Sequence, residues 1–174
     1  MNELQTFFSG LDWSVPLNIL LSIIPALVCI TLHELSHGFV AWRLGDDTAK
    51  RRGRLSLNPL RHIDLTGLLM MALIRFGWAR PVPVDMMNFK NPKRGMAITA
   101  AAGPASNFLL AFVLMLLFGA LWPVLLGSAV GDVFLYFLYT TAFLSVYLGL
   151  FNLIPIPPLD GSKIFFSFLP DRAY

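Results

Sequence analysis

Residues 16–42 read PLNILLSIIPALVCITLHELSHGFVAW, an apolar run long enough to cross a bilayer. Inside it, HELSH (33–37) places two histidines and a glutamate where hydrocarbon penalises ionisable groups. Such side chains are rare within membrane spans, and they usually mark a functional site. The stretch therefore predicts both a membrane span and a functional site within that span.

The composition of the whole chain is also typical of a membrane protein. Of its 174 residues, 56% are hydrophobic and 13% are charged, whereas a soluble domain has roughly 45–50% apolar and about 25% charged residues. The single cysteine, Cys29, excludes an internal disulfide and a metal site built from several cysteines. MNELQTFFSGLDWS (1–14) has no Lys or Arg and no cleavage pattern after it, so we expect the first apolar run to be retained.

Three segments are apolar over the roughly 20 residues that a transmembrane helix needs. They lie at about 17–44, 96–126 and 133–154. Ten of the thirteen Lys and Arg residues lie between residues 45 and 94, and the positive-inside rule places that segment in the cytoplasm. The N-terminus and the short GSAVGD turn (127–132) are then outside. This rule explains the basic segment better than nucleic-acid binding does, so we expect no nucleic-acid partner.

The cytoplasmic segment contains one shorter apolar piece, LTGLLMMALIRFGW (65–78). Because it includes Arg75, we expect a re-entrant or interfacial helix, with a full span as the alternative. Residues 53–58 and 81–85 have the alternation and prolines of extended chain. The predicted fold is an all-α polytopic membrane protein with three transmembrane helices, this short helix and small membrane-associated β-segments, in a single domain over 1–174.

The two histidines have the spacing of metal ligands. On a helix, His33 and His37 lie one turn apart on the same face, where two imidazoles can bind one Zn²⁺. Glu34 can then reach a metal-bound water rather than the metal. A chance pair of hydrogen-bonded histidines is the alternative, and the intramembrane position disfavours it.

A catalytic zinc site usually has a third protein ligand and one open position. His62 follows the basic run, and a polar turn residue is the favoured interpretation for it. Screening the acidic residues by predicted depth leaves Asp160, in FNLIPIPPLDGSKI (151–164). The prolines of this segment end the third helix, and an unwound bend can hold a carboxylate in a protein-lined cavity. Asn107 and Asn152 have similar predicted depth; either they tie helices together, or they bind the substrate backbone or the oxyanion.

HELSH, GPASN (103–107) and NLIPIPPLDG (152–161), on successive spans, resemble the site-2 protease family of intramembrane zinc metalloproteases. GRLSLNPLRHID (53–64) and FGWARPVPVD (76–85) are similar to its small bacterial and archaeal branch without a PDZ domain. The resemblance implies a multi-pass protein of a prokaryotic cell membrane. It also implies that the extended pieces present the substrate as an added strand.

Carried over residue by residue, the resemblance implies that His33, His37 and Asp160 bind one Zn²⁺ and that Glu34 is the catalytic base. It implies that Asn152 contacts the substrate. It supports the same role for Asn107 more weakly. The expected substrate is a transmembrane segment of another protein. Members of the family commonly continue beyond the point where this chain ends at FLPDRAY (168–174), so a shortened form and a minimal core both stay open.

Two other functions also use metal ligands in a membrane: zinc transport and a zinc-dependent scaffold. Transporters usually carry polar groups along a path through the bilayer, whereas here the polar groups converge on one depth. Glu34 also lies where a base is needed. The sequence therefore favours a protease, and it leaves the substrate and the oligomeric state open.

Overall fold

The computed structural model describes residues 14–64, 66–67, 69–70 and 80–170, with side chains from residue 21 onward. It contains five α-helices in this part of the chain. They are α1 (Ser14–Arg43), α2 (Thr48–Arg51), α3 (Pro92–Leu125), α4 (Ala129–Asn152) and α5 (Asp160–Phe166), with 3₁₀ turns at Pro59–Arg61 and Met86–Asn88. Three of them, α1, α3 and α4, are long and apolar enough to span a membrane. The predicted all-α fold with three transmembrane helices is confirmed.

The ends of the long helices follow local capping signals. Helix α3 begins four residues earlier than predicted because the Asn91 side chain accepts a hydrogen bond from the N–H of Arg94, and Pro92 fits the first turn. Helix α4 begins at Ala129 because Ser128 caps the N–H of Gly131. It ends at Asn152, shortly before the prolines.

Helix α3 lies at the centre and contacts α1, α4 and α5. Its buried face repeats every four residues and is made mostly of small side chains. The buried positions in that row are Gly95, Thr99, Gly103, Asn107 and Ala111. Small residues let helix backbones approach closely where no hydrophobic effect drives helices together. The row therefore brings α1 and its histidines against the middle of the bundle.

The basic segment, residues 45–94, differs in part from the prediction. Residues 53–58 and 81–85 are non-helical as predicted, but the described part of the chain contains no β-strand. Prolines 81 and 83 remove two N–H donors, which leaves too few for a regular ladder. Among the described residues, the N–H of Arg80 donates to the carbonyl of His62, next to these two regions. The helix predicted at 65–78 lies largely outside the described residues.

Candidate active site

The predicted metal ligands meet at one point between α1 and α5. His33 and His37 are one turn apart on α1, and Asp160 is the first residue of α5. The Nε2 atoms of both histidines lie 3.0 Å from Asp160 Oδ2 and 3.0 Å from each other. All three residues are buried. Three potential ligand atoms thus form a nearly equilateral triangle, although Asp160 follows His37 by 123 positions.

This triangle fits a divalent metal. Ligands of a tetrahedral Zn²⁺, each about 2.0–2.1 Å from the ion, are separated from one another by about 3.3 Å. The observed separations are slightly shorter. Two imidazole nitrogens and one carboxylate oxygen are also a donor set that zinc proteases use. Among the described residues, His33, His37 and Asp160 are the group of metal-binding side chain types that lies close enough together to hold a metal ion.

Both histidine rings are oriented from behind by α3. His37 Nδ1 lies 2.7 Å from the carbonyl oxygen of Thr99, and since a carbonyl only accepts, Nδ1 carries the proton. The lone pair is then on Nε2, the atom that faces Asp160. Such a hydrogen bond behind a metal-binding histidine fixes its tautomer and ring orientation.

Asn107 has the corresponding place behind His33. Its side-chain amide lies 3.1 Å from His33 Nδ1, and within the described residues its Oδ1 has no hydrogen-bond partner. Half a turn of the amide exchanges its nitrogen and oxygen. With the oxygen towards the ring, His33 Nδ1–H donates and Nε2 is free to bind a metal. Asn107 is fully buried and contacts the predicted ligand His33, a neighbour that its position in the sequence did not reveal.

The second oxygen of Asp160 is also held. Lys163, one turn along α5, donates from Nζ to Oδ1 at 3.2 Å. Oδ2 is therefore left for the two histidines. Gly161 lets the start of α5 lie close to the end of α4, because a Cβ there would lie 2.6 Å from the carbonyl oxygen of Ile154. The glycine is needed here for close packing of α5 against the end of α4.

Glu34 opens onto the same cavity as the three predicted ligands. The cavity has a volume of about 270 Å³, and its lining includes His33, Glu34, His37, Asp160 and Asn152. The Glu34 carboxylate accepts a hydrogen bond of 2.8 Å from the backbone N–H of Val82. Asn152 lies at the end of α4, and its side chain donates to the carbonyl of Leu148 at 3.0 Å. Both residues thus face the cavity that the ligands line.

Three residues near the site, Arg54, Thr99 and Lys163, escaped the sequence analysis. The buried Arg54 donates from Nη2 to the backbone carbonyls of Arg80 and Pro81, directly before Val82. Burial and the neighbouring positive charge of Arg80 lower the pKa of Arg54, and the charge of Glu34 opposes them. Thr99 acts through its carbonyl, which no side-chain pattern reveals. Lys163 could have been found, since it follows Asp160 at helical spacing.

His62 lies away from this cluster. It is buried, and its Nε2 lies 2.8 Å from the carbonyl oxygen of Ser56. This contact joins the two ends of the 56–62 turn. This position agrees with the interpretation of His62 as a polar turn residue. The cluster of His33, His37 and Asp160 does not include it.

The chain is similar to known proteins over most of its length. A sequence profile of peptidase family M50 matches residues 126–173. YwhC of Bacillus subtilis, provisionally named a zinc metalloprotease, is 40% identical over 154 residues, covering 85% of this chain and 68% of that protein. Rip2 of Mycobacterium tuberculosis, with the same provisional name, is 38% identical over 145 residues, 78% of this chain and 52% of Rip2.

A more distant relative is the zinc metalloprotease MJ0392 of Methanocaldococcus jannaschii. It is 29% identical over 145 residues, which cover 83% of this chain and 33% of MJ0392. No solved structure matches the chain. The chain thus spans about two thirds of YwhC, about half of Rip2 and a third of MJ0392.

Proposed function

Because the chain belongs to peptidase family M50, the site-2 protease family of zinc metalloproteases, we propose that it hydrolyses peptide bonds in or near transmembrane segments of other proteins. The observation that carries the proposal is the 3.0 Å triangle of His33, His37 and Asp160 between apolar helices, with Glu34 in the same cavity. A peptide bond within a membrane can be reached only from a site at that depth.

His33, His37 and Asp160 would hold one Zn²⁺ per chain, with Thr99 and Asn107 orienting the two rings and Lys163 orienting the carboxylate. Zinc bound there supplies a Lewis acid that makes water nucleophilic near neutral pH and polarises the substrate carbonyl. The donor set and the hydrogen bonds behind each ligand support this assignment.

Glu34 is the general base of the proposed reaction. Its carboxylate takes a proton from the attacking water while the C–O bond forms, and it passes that proton to the amine as the C–N bond breaks. The Asn152 amide, which faces the same cavity, would donate to the oxygen of the scissile carbonyl. The reaction thereby consumes one water molecule and one peptide bond, and it produces one new carboxylate and one new amine.

The proposed substrate is a transmembrane helix that has unwound locally. In an intact helix each backbone carbonyl is hydrogen-bonded within the helix, and the backbone is closed to attack. Helix-breaking residues near the cut should therefore increase the rate. We place the protein in a prokaryotic cell membrane, with the N-terminus outside and the basic 45–94 segment in the cytoplasm, where water can enter.

The test is cleavage of a single-span helix carrying a Gly-Pro pair, with purified protein in detergent. Glu34→Gln should keep zinc and lose cleavage, because the amide cannot accept the proton. Asp160→Ala should lose both cleavage and zinc, and metal analysis measures the zinc content. Full activity of the Glu34→Gln variant would exclude the mechanism, and unchanged zinc in the Asp160→Ala variant would remove Asp160 from the ligands.

A further inference from the structure

Residues 80–85 (RPVPVD), here called the proline strip, lie beside the proposed base. Val82 donates its backbone N–H to Glu34 Oε2 at 2.8 Å. Pro81, Val82 and Val84 line the cavity with the proposed ligands. A hydrogen bond to a carboxylate is one of the stronger kinds. The strip therefore holds one oxygen, Oε2, of the carboxylate that should accept a proton from water.

The alternating prolines give the strip two unlike edges. In an extended chain the N–H and C=O groups of successive residues point to opposite edges, and the residues before proline are biased to extended conformations. Prolines 81 and 83 share one edge and have no N–H to donate. Val82 and Val84 share the other edge, and the N–H of Val82 is directed at Glu34. A second strand can therefore pair only on the edge that faces the cavity.

Both ends of the strip are tied down. The N–H of Arg80 donates to the carbonyl of His62 at 2.9 Å, and the N–H of Asp85 donates to Asp46 Oδ2 at 2.8 Å. The buried guanidinium of Arg54 donates to the carbonyls of Arg80 and Pro81. None of these three ties uses the N–H of Val82. The bond between Val82 and Glu34 is thus the one that an incoming chain can replace while the strip stays in place.

We infer that the substrate backbone displaces Glu34 from the Val82 N–H, so that docking and release of the base are a single event. An extended substrate that pairs with the cavity edge places a carbonyl oxygen on Val82 N–H, and Glu34 becomes free to act on water. An intact helix has no free carbonyl to offer. The strip therefore selects unwound segments and restrains hydrolysis of peptides that do not dock. This inference rests on the proposed protease function.

The experiment removes one N–H at a time. Val82→Pro deletes the donor that holds Glu34, and Val84→Pro is the matched control because it deletes the other donor of the same edge. Each variant is given two substrates: the single-span Gly-Pro helix, and a quenched fluorescent tetrapeptide that contains its mapped cleavage site but is too short to pair along the strip. Zinc content and melting temperature show that each variant is folded.

Both variants should raise KM for the helix, because each loses a strand hydrogen bond. The kcat/KM for the tetrapeptide should be about tenfold higher in Val82→Pro than in Val84→Pro, which is the effect of removing one hydrogen bond to a charged group. A kcat/KM for the tetrapeptide that is no higher in Val82→Pro than in Val84→Pro, with zinc bound in both variants, would overturn the inference. An unaltered chain that cannot cleave the helix would instead overturn the proposed function.

Arg54→Lys is the second variant, for the case in which Val82→Pro does not fold. Lysine keeps the charge but lacks the forked donors that reach two carbonyls, so it loosens the strip without changing any N–H on it. Tetrapeptide cleavage should rise in this variant, by less than in Val82→Pro. An unchanged or lower rate in zinc-loaded Arg54→Lys would contradict the restraint.

Discussion

A single glycine of α3 decides whether the two histidine rings can lie together. The rings of His33 and His37 meet edge to face, with centroids 4.6 Å apart. Both rest on α3 at Gly103, where an added Cβ would lie 2.5 Å from His37 Cε1 and 2.6 Å from His33 Cε1. Real Cβ atoms do not approach so closely, and both rings are also held by hydrogen bonds. At the residue scale, the site depends on a missing side chain.

We predict that Gly103→Ala removes zinc without unfolding the protein. The methyl group should displace both rings, while alanine in a helix is favoured over glycine by about 1 kcal/mol. Metal analysis and a melting temperature measured in detergent test the two halves of this prediction. Gly119→Ala is the control, since Gly119 lies on the same helix with nothing within 4 Å of its added Cβ. Equal zinc content in both variants would contradict the packing argument.

The two asparagines should differ in what they affect. Asn107 contacts His33 from behind, so Asn107→Ala should lower zinc affinity about 10–100-fold, as loss of such partners generally does. Asn152 faces the cavity, so Asn152→Ala should slow cleavage and leave zinc affinity unchanged. Competition with a chelator measures affinity, and turnover of the Gly-Pro helix measures cleavage. The reverse pattern would exchange the two roles.

At the scale of elements, Asp46 joins the end of α1 to the 3₁₀ turn at Met86–Asn88. Its buried carboxylate accepts hydrogen bonds from Thr48, from the N–H of Asp85 at 2.8 Å and from the Asn88 amide at 2.8 Å. Burial alone would raise the pKa of Asp46, but these hydrogen bonds outweigh it and hold the pKa below its usual value. The same residue therefore fixes one end of the proline strip.

The lowered pKa gives a pH dependence with a definite sign. Because the folded pKa lies below the unfolded value of about 3.9, the stability from Asp46 is fully present above that value. It is lost as pH falls through the folded pKa. Asp46→Ala should destabilise the protein by about 2 kcal/mol or more at neutral pH, since several donors lose their acceptor.

Cys29 supplies the measurement and Asp47 the control for this prediction. Cys29 is the only cysteine and is fully buried, so a thiol-reactive dye reports its exposure on unfolding. Asp47 pairs with Arg51 on the surface, where ion pairs contribute little, so Asp47→Ala should leave the unfolding midpoint nearly unchanged. A midpoint as high in Asp46→Ala as in Asp47→Ala would refute the anchoring role.

At the scale of the whole molecule, the site lies towards the basic end of the bundle. Helix α3 has 34 residues, or about 50 Å, which exceeds the roughly 30 Å of hydrocarbon. Thr99, Gly103 and Asn107 lie in its first half, on the side of Lys93 and Arg94. No Lys or Arg occurs between residues 95 and 162. Water should therefore reach the site from the cytoplasmic end.

Labelling of introduced cysteines tests this orientation. Val130 and Arg52 are both exposed and lie at opposite ends of the molecule in the proposed topology, while buried Cys29 should stay silent. An impermeable maleimide added to intact cells should label Val130→Cys and not Arg52→Cys. Both should be labelled after permeabilisation. Labelling of Arg52→Cys alone in intact cells would mean the opposite orientation.

The sequence by itself determined what local spacing and composition control. Three apolar segments of sufficient length predicted the three spans. The four-residue step from His33 to His37 put two imidazoles on one helix face. The prolines after Asn152 marked the end of α4. Asp160 was predicted as third ligand because few acidic residues remained at that depth. Each of these inferences needs only neighbouring residues and the preference of hydrocarbon for apolar groups.

Only the tertiary structure decided which groups surround those ligands. The carbonyl of Thr99, the absence of a side chain at Gly103 and the N–H of Val82 have no sequence signal, because every residue has a backbone and many glycines are unconstrained. Their partners lie 48 to 70 positions away along the chain. Such contacts exist only once α3 packs on α1 and the strip is tied down, since packing of helices, and not local spacing, sets distances between remote residues.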